Sequence, residues 1–377
     1  MRRAIFDEFA RVLLVGACIS AAAAGASACT DFRIKAADGT VVIGRTLDFE
    51  VPVLSWLKTY PRGERRASQA PGGRPGIEWT SRYGYVGIDV GGRAAQLVGI
   101  SNNLADGMNE RGLTFAWLAL PDFTKYQDEA AAREPGKALG HWDLCNWALG
   151  NFATVAEVRA AVADVHIWGQ PMHPLNLVMP LHAAVHDETG ASIVLEFTEG
   201  GLKVHDNEVG VLTNAPTYDW HVINLRNYLN LRARSAEPVR AASSVLSPLG
   251  PGSGLLGIPG DWTSPSRFVR IAAMKHFASR ADDAERAVLL AERLLGSVTL
   301  PRGLELTGPE GSQRSDYTRW SVIKDLSNRV YYFRGHDSHA LRAVRLRELD
   351  FGPEGKRRSI RVGTGGGIID VTKDLGG

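Results

Sequence analysis

Cysteine is scarce in this chain of 377 residues, which has three, at positions 18, 29 and 145. So few thiols exclude the disulfide framework on which small exported domains depend. Charge of one sign is scarce as well, because the formal net charge is only +2 and no run of Lys or Arg is interleaved with aromatic residues. This balance excludes a strongly positive surface of the kind that binds nucleic acid, and we expect no nucleic-acid partner.

Several catalytic signatures are also absent. The sequence has no His-Glu-x-x-His pattern, no Gly-x-Ser-x-Gly pattern and no phosphate-binding loop. His182 and His186 are four residues apart and would share a face of a strand, which leaves a metal-dependent hydrolase as an alternative. No third ligand stands out, so we predict ordinary strand histidines and expect neither a metal nor a cofactor.

Long apolar runs are missing too, apart from one near the start. Three arginines precede the apolar residues 12–19, and small residues follow up to Ala28. The run is shorter than the roughly 20 residues that span a bilayer, so we expect no membrane span. The pattern predicts a signal peptide over residues 1–28 and export to the periplasm or out of the cell. A buried first helix or an anchor is the alternative, since Asp7 and Glu8 are unusual in a signal peptide.

The sequence after this segment alternates short β-type runs with helical blocks, and it has no internal repeat or low-complexity linker. We expect one domain over residues 29–377, with mixed sheets covered by helices. Strands are predicted at residues 30–36, 40–48, 83–90, 94–100, 113–118, 175–186, 192–198, 202–206, 320–324, 329–334 and 341–346. Helices are predicted at 155–165, where Thr154 and Glu157 form a capping box, and at 218–232, 265–281 and 282–295, the last two as a packed pair.

A hairpin is predicted around Asp38-Gly39. A two-residue turn there pairs Cys29 with Asp48, whereas a register shifted by one pairs Asp31 with Arg45 and puts Arg45 on the face of Cys29. Because Arg45 and Asp48 are three residues apart, a regular strand cannot aim both at one face. Bringing both to Cys29 would then require a bulge, or Asp48 beyond the end of the strand.

Cys29 follows the predicted cleavage point directly, and that position has a chemical consequence. Cleavage after Ala28 would give Cys29 a free α-amine with a typical pKa of about 7.7–8.0, beside a nucleophilic thiol. One residue would then supply both nucleophile and base. A guanidinium from Arg45 would lower the pKa of the thiol, and Asp48 would hold the ammonium form. Cys145, in an apolar-periodic segment, is expected to be a buried structural thiol.

Lipidation is the competing explanation for a cysteine in this region. Residues 15–18 resemble a lipoprotein cleavage box, and processing at Cys18 would leave Cys29 internal and without an α-amine. Acylation of Cys29 itself would also abolish the proposed chemistry. The chain would then be a non-catalytic exported or envelope protein.

Several short motifs, in one order along nearly all of the mature chain, resemble the choloylglycine hydrolase family, which includes bile salt hydrolases and penicillin V acylases. They are Cys29-Thr30-Asp31-Phe32, Gly44-Arg45-Thr46-Leu47-Asp48, residues 105–113, residues 151–155, residues 213–221, residues 255–261 and Ser266-Arg267-Phe268.

The resemblance implies a four-layer αββα fold of the α+β class and hydrolysis of a linear non-peptide amide through an acyl-enzyme on an N-terminal cysteine. It also implies roles for individual residues. The nucleophile falls on Cys29, the thiol-side arginine on Arg45 and the amine-binding aspartate on Asp48. The oxyanion-site asparagine falls on Asn214, and a second arginine of the site on Arg267.

One position departs from the family pattern. Ala119 stands where related bile salt hydrolases carry an asparagine in the oxyanion region, and alanine has no side-chain donor. Bile salts, penicillin V and acyl-homoserine lactones therefore remain alternative substrates.

The substrate is expected to have an apolar acyl or steroid group that fills a hydrophobic pocket. Candidate wall residues are Phe49, Trp56 and Trp117, beside Ala119. Residues 247–260 are either a functional loop or a solvated connection. By family analogy, we expect a homo-oligomer, a tetramer.

Overall fold

The computed structural model describes residues 28–50, 54–90, 103–172, 176–310 and 312–363. The predicted signal peptide apart from Ala28, and the predicted strand at 94–100, lie outside these residues. Among the helices that are described, none combines the length and the apolar character needed to cross a bilayer.

The strands of the six-stranded sheet are β1 (Thr30–Lys35), β2 (Val41–Asp48), β14 (Val211–Leu212), β19 (Thr318–Asp325), β20 (Val330–Gly335) and β21 (Arg342–Arg345). Those of the eight-stranded sheet are β3 (Ser55–Tyr60), β6 (Tyr85–Val90), β7 (Leu104–Asn109), β8 (Thr114–Ala119), β11 (Leu181–His186), β12 (Ser192–Thr198), β13 (Gly201–Asp206) and β22 (Ser359–Arg361). Two-stranded ladders are formed by β4 (Arg65–Ala70) with β5 (Arg74–Thr80), β9 (Ala138–Gly140) with β10 (His166–Trp168), β15 (Val239–Ala241) with β16 (Ser244–Leu246), and β17 (Glu305–Thr307) with β18 (Arg314–Asp316). The helices are α1 (Asp128–Arg133), α2 (His141–Asn151), α3 (Val155–Val162), α4 (Tyr218–Asn224), α5 (Ser264–Phe277) and α6 (Ala284–Gly296).

Both large sheets are antiparallel throughout. The six-stranded sheet has the order β14-β1-β2-β19-β20-β21 and the eight-stranded sheet the order β13-β12-β11-β8-β7-β6-β3-β22. In the first, the N-terminal hairpin therefore lies beside strands from the C-terminal third of the chain.

The side chains of β8 show how the layers are stacked. Ala116 and Leu118 belong to the core between the two sheets, whereas Phe115 and Trp117 belong to a second core under α2 and α3. This alternation is the period of two that a strand buried on both faces requires. On the other side, α5 and α6 cover the six-stranded sheet. The predicted four-layer αββα arrangement is confirmed.

The N-terminal hairpin has the shifted register. Asp31 pairs with Arg45 and Thr30 with Thr46, so the turn is one residue longer than the two-residue turn at Asp38-Gly39. Gly39 has a φ of +92°, a left-handed conformation that glycine adopts without strain. The register in which Cys29 faces Asp48 is therefore wrong.

The helices begin close to where the sequence predicts them. Thr154 caps α3 by accepting a 3.2 Å bond from the backbone N–H of Glu157, as the capping box predicts. The predicted helix at 218–232 is shorter, because a 3₁₀ turn replaces the α-helix after residue 224. The last two predicted helices do touch, but α6 packs chiefly on β2 and β19, because its amphipathic face covers the sheet.

Candidate active site

Cys29 lies directly before β1, where the N-terminal hairpin meets the layer of α5. It is 2% exposed, and its Sγ atom is 3.8 Å from the backbone carbonyl oxygen of Asp48. The thiol is thus held at the open end of the β1–β2 pair, next to the last residue of β2. This placement brings the cysteine and the aspartate together without direct cross-strand pairing.

The carboxyl group of Asp48 is fully buried and held by two hydroxyl groups. Thr46 donates to Oδ2 at 3.1 Å, and Thr318, its partner in β19, donates to Oδ1. Burial raises the pKa of Asp48 to about 7, although the charge of Arg267 and the two hydroxyls act in the opposite direction. A carboxyl group with this pKa gains or loses its proton near neutrality.

Arg45 approaches the same region from the other face of β2. Its guanidinium donates to the carbonyl oxygen of Ala105 at 2.7 Å, to Asp106 Oδ2 at 3.1 Å and to the carbonyl oxygen of Trp117, all on the eight-stranded sheet. Burial acts to lower the pKa of Arg45, but the charges of Asp106 and Cys29 outweigh it and raise the pKa. The arginine is therefore a fixed cation between the sheets.

Arg45 and Asp48 consequently lie on opposite faces of β2. Because side chains alternate along a strand, residues 45 and 48 point to opposite faces. Arg45 faces the other sheet and Asp48 faces α5, so a regular strand can hold both side chains where they lie. A register shift is present, but it lies in β19, between Thr318 and Trp320. The expectation of a bulge between Arg45 and Asp48, or of an Asp48 beyond the end of the strand, is therefore wrong.

Arg267, on the first turns of α5, connects the cysteine to the rest of the site. Its Nη1 donates to the carbonyl oxygen of Cys29 at 2.5 Å and to Thr30 Oγ1 at 2.6 Å. Its Nη2 donates to Asn214 Oδ1 at 2.8 Å, and its Nε to the carbonyl oxygen of Trp262 at 2.8 Å. Burial lowers the pKa of Arg267, while the charges of Asp48 and Cys29 oppose that effect.

The side chain of Asn214 is fixed at both of its polar atoms. Its Oδ1 accepts from Arg267, and its Nδ2 donates to the carbonyl oxygen of Ala119 at 2.9 Å. Its backbone N–H donates to Ser264 Oγ at 2.9 Å. An amide nitrogen carries two hydrogens, so one remains after the bond to Ala119. The side-chain amide is thus held in one orientation, with one N–H hydrogen that the bond to Ala119 does not use.

An apolar pocket of about 90 Å³ opens beside the thiol. It is lined by Cys29, Leu47, Phe49, Val90, Ala105, Trp117, Ala119, Trp142, Met179 and Leu181. Three of the predicted wall residues, Phe49, Trp117 and Ala119, lie in this lining. Trp56 does not; it lies on β3, where it pairs with Asp89 and Arg361.

The two histidines that suggested a metal site contact different carboxyl groups. His182 Nδ1 lies 3.1 Å from Glu196 Oε1, whereas His186 Nε2 lies 2.7 Å from Asp31 Oδ1. In the parts of the chain that are described, no group of three or more His, Cys, Asp or Glu side chains is arranged to hold a metal ion.

Cys145 lies in α2 and has no exposed surface. Burial raises the pKa of its thiol well above the usual range. A protonated thiol without exposed surface is a poor nucleophile, so Cys145 is the weaker candidate of the two cysteines in the described residues.

Sequence patterns did not reveal a buried network behind Arg45. Asp106 accepts from Arg45, from Lys324 Nζ at 2.7 Å and from Tyr331 Oη at 2.6 Å, and all four side chains are fully buried. The only signal was the presence of charged residues in buried strands, among them Asp106 in β7 and Lys324 in β19.

Comparison with known proteins places this geometry in context. Residues 29–358 match the family described as linear amide C–N hydrolases, choloylglycine hydrolase family. A bile salt hydrolase/transferase of Clostridium perfringens is 31% identical over 316 residues, which cover 84% of this chain and 92% of the relative. A penicillin V acylase of Pectobacterium atrosepticum is 26% identical over 329 residues, covering 83% of this chain and 79% of the relative. The crystal structure of a variant of the conjugated bile acid hydrolase from Clostridium perfringens, 29% identical, superposes with a TM-score of 0.79 over 91% of this chain and 100% of the other.

Proposed function

Since the chain belongs to the choloylglycine hydrolase family of linear amide C–N hydrolases, we propose that it cleaves its amide through Cys29 as an N-terminal nucleophile. The observation that carries this proposal is that one buried cysteine contacts both the backbone carbonyl oxygen of Asp48 and the guanidinium of Arg267, which also holds the side chain of Asn214. The only other thiol in the described residues has no such neighbours and no exposed surface.

The proposed reaction begins with proton transfer from the Cys29 thiol to its own α-amine. The sulfur then attacks the amide carbon, and the carbonyl oxygen becomes an oxyanion. The second N–H of Asn214 stabilises that oxyanion, a contribution that is typically worth about 2.7–4 kcal/mol. The ammonium returns the proton to the leaving nitrogen as the C–N bond breaks. Water, activated by the same amine, then hydrolyses the thioester and releases the acid.

The absence of an asparagine side chain at Ala119 has a consequence for this scheme. The carbonyl oxygen of Ala119 accepts from Asn214, so this position orients the donor instead of supplying a second one. The proposed oxyanion site therefore contains one side-chain amide. Any second donor would be a backbone N–H.

Processing must precede activity in this scheme, because the α-amine exists only after the bond between Ala28 and Cys29 is cleaved. We propose that the chain is exported to the periplasm or secreted and is cleaved there. The signal-peptide pattern of residues 1–28 supports this proposal. Mass spectrometry of the mature N-terminus tests it: a first residue Cys29 is expected, whereas a lipid-modified Cys18 would contradict it.

The substrate proposed is an amide with an apolar acyl group. The pocket beside Cys29 is lined almost wholly by apolar side chains, which suits an apolar acyl group. Relatives are named for bile salts and for penicillin V. Conjugated bile salts and penicillin V-like amides are therefore the leading candidates, with acyl-homoserine lactones as the alternative.

A panel of glycocholate, taurocholate, penicillin V and a long-chain acyl-homoserine lactone, assayed for release of the amine, tests this function. The processed wild type is expected to hydrolyse at least one, and Cys29→Ala and Cys29→Ser to lose nearly all turnover while keeping the wild-type unfolding transition. Cys145→Ala is the matched control and should retain activity. Full activity in a folded Cys29 variant would refute the mechanism.

Self-association is a separate proposal. It is supported by exposed apolar side chains on the hairpin β15–β16 and on the connection that follows it. Val239, Val245 and Leu246 are all more than half exposed, and Leu249 is fully exposed. Exposed apolar side chains grouped on one hairpin are typical of interaction sites. Sedimentation equilibrium should show a homo-oligomer, a tetramer by family analogy, and a monomer at all concentrations would exclude it.

A further inference from the structure

The backbone on both sides of Asn214 is held by side chains from three elements. The backbone N–H of Asn214 donates to Ser264 Oγ, on α5, at 2.9 Å. Its carbonyl oxygen lies 2.9 Å from His221 Nε2, on α4. The carbonyl oxygen of Thr213, one peptide group earlier, lies 2.9 Å from His182 Nε2, on β11. Holding these groups fixes the direction in which the Asn214 side chain leaves the backbone.

His182 makes its contact from the other sheet. β11 belongs to the eight-stranded sheet, whereas Thr213 directly follows β14, at the edge of the six-stranded sheet. The imidazole has no exposed surface, and its other nitrogen, Nδ1, lies 3.1 Å from Oε1 of the equally buried Glu196, on β12. A carboxyl group, an imidazole and a peptide carbonyl therefore form a continuous chain that ends next to Asn214.

Both ring nitrogens of His182 face groups that only accept hydrogen bonds. A peptide carbonyl has no hydrogen to donate. Burial acts to raise the pKa of Glu196, but the contacts with His182 and His205 outweigh it and lower the pKa to about 2, so this carboxyl group is ionised near neutrality and donates nothing either. A neutral imidazole has one N–H, whereas an imidazolium has two. The two contacts are satisfied together only by the imidazolium, with Glu196 as its counter-ion.

His221 holds the neighbouring peptide group in a different way. Burial lowers the pKa of His221 to about 4, so its imidazole is neutral near pH 7 and donates from Nε2 to the carbonyl oxygen of Asn214. Its Nδ1 has no hydrogen-bond partner among the described residues. Hydrogen bonds from a charged donor are roughly twice as strong as neutral ones. The contact from His182 is therefore the stronger restraint on this backbone.

We infer that the ion pair of Glu196 with His182 positions the oxyanion donor: through the carbonyl oxygen of Thr213, it holds the side-chain amide of Asn214 in its reactive orientation. This inference rests on the proposed function, which assigns the oxyanion to that amide. Both members of the pair are positioning residues, because they act on the reaction only through one peptide group.

Two substitutions separate the hydrogen bonds of His182. The amide nitrogen of a glutamine extends about as far from the backbone as Nε2 and can donate to Thr213, whereas that of an asparagine extends only as far as Nδ1. His182→Asn is expected to lower kcat by about 10- to 100-fold with little change in KM, because the oxyanion forms only in the transition state. His182→Gln should restore most of kcat. The assay uses full-length processed protein and whichever amide of the four-member panel the wild type hydrolyses fastest.

A double-mutant cycle with Asn214→Ala tests whether His182 acts through the amide. If it does, His182→Asn causes no further loss of kcat in the Asn214→Ala background. A general loosening of the structure would instead lower kcat by the same factor in both backgrounds. His166→Asn is the matched control, since it breaks another His–Glu contact, the one of 3.4 Å with Glu134, and should leave kcat at the wild-type value.

Glu196→Gln replaces His182→Asn if that variant does not fold. The neutral amide preserves the shape of the side chain but no longer favours a second proton on His182. One of the two contacts of the imidazole is then lost. We expect a smaller fall in kcat in the same direction, which again disappears in the Asn214→Ala background.

The orientation of the amide can also be followed without a substrate. In processed protein that contains isotope-labelled asparagine, the nuclear magnetic resonance signals of the Asn214 side-chain amide are identified by their loss in Asn214→Ala. These signals should move in His182→Asn, or in Glu196→Gln where that variant is used. They should stay at their wild-type positions in His182→Gln and His166→Asn.

The outcomes separate the inference from the function on which it rests. Unmoved signals, an unchanged kcat, equal losses in His182→Asn and His182→Gln, or an undiminished loss in the Asn214→Ala background each overturn the inference alone when activity still depends on Cys29. Hydrolysis of none of the four amides overturns the proposed function, and the amide signals then decide whether the pair positions Asn214.

Discussion

Arg267 Nη2 donates to Asn214 Oδ1 at 2.8 Å, and the same guanidinium donates to the carbonyl oxygen of Cys29 at 2.5 Å. One arginine on α5 thus fixes the distance between the cysteine and the amide proposed to stabilise the oxyanion. Its role is positional, because its donors are directed at neutral protein oxygens. A planar guanidinium can do this where a single ammonium cannot.

Arg267→Lys should therefore impair turnover without removing the positive charge. A lysine ammonium cannot reach Cys29, Thr30 and Asn214 in this geometry, and the Asn214 amide loses its orientation. We expect kcat/KM to fall by about 100-fold. The control is Arg270→Lys on the same helix, because Arg270 donates to Pro259 and Asp261 instead. Equal losses in the two variants would argue against a positional role.

Asn214→Ala removes the donor proposed for the oxyanion. Steady-state kinetics should show kcat lower by about 10²–10³-fold. Asn214→Asp keeps the oxygen that accepts from Arg267 but lacks the amide hydrogens, so it should be similarly impaired. Asn227→Ala, an exposed asparagine in the turn after α4, is the control. Retention of wild-type kcat in Asn214→Ala would rule out the assigned role.

Asp106→Asn is expected to destabilise the fold. Asp106 accepts from two buried cations, Arg45 and Lys324, and loss of its charge leaves both uncompensated between the sheets. Breaking a buried ion pair in this way costs about 3–5 kcal/mol. Urea denaturation measures the free energy of unfolding. Asp122→Asn, at an exposed position, should change it by less than about 0.5 kcal/mol, and a similarly small change in Asp106→Asn would contradict the account.

Glu196 predicts a pH dependence of stability. Burial acts to raise the pKa of Glu196, but the hydrogen bond with His182 and the nearby imidazole of His205 outweigh it and lower the pKa to about 2. Because the unfolded value is about 4.3, the ionised form stabilises the fold fully above that pH. This contribution is lost as the pH falls from about 4.3 toward 2.

The measurement is the free energy of unfolding of wild type minus that of Glu196→Gln at several pH values. The difference should shrink as the pH falls from about 6 to 3. Glu199→Gln, an exposed neighbour, should give a difference that does not vary with pH. A constant difference for Glu196→Gln would show that the carboxylate is not held in its ionised form.

The layers of the fold could be predicted because their signals are local. Alternating apolar residues identified most strands of the two large sheets, and the cap at Thr154 identified the start of α3. The register of the N-terminal hairpin was harder to predict from the sequence. It depends on whether the turn at Gly39 holds two or three residues, and both fit the same sequence.

The long-range contacts of the site could not be obtained from local patterns. Nothing near Arg45 in the sequence shows that its partners are Ala105, Asp106 and Trp117, some 60 to 72 residues away. Only the similarity to the family motifs predicted that Asn214 and Arg267 belong to the same site as Cys29. Trp56 was chosen for its aromatic type and its nearness in sequence, and the pairing of β3 with β6 and β22 places it outside the lining of the pocket.

Cys29, as the first residue of the mature chain, is proposed to form the acyl-enzyme. The processed protein is mixed with an excess of an amide that it hydrolyses, and the reaction is quenched in acid within the first turnovers. The protein is then digested, and the mass of its N-terminal peptide is measured by mass spectrometry. We expect a peptide that starts at Cys29 and carries the acyl group as a thioester, which hydroxylamine removes. An unmodified N-terminal peptide during rapid turnover, or an acyl group on another residue, would contradict it.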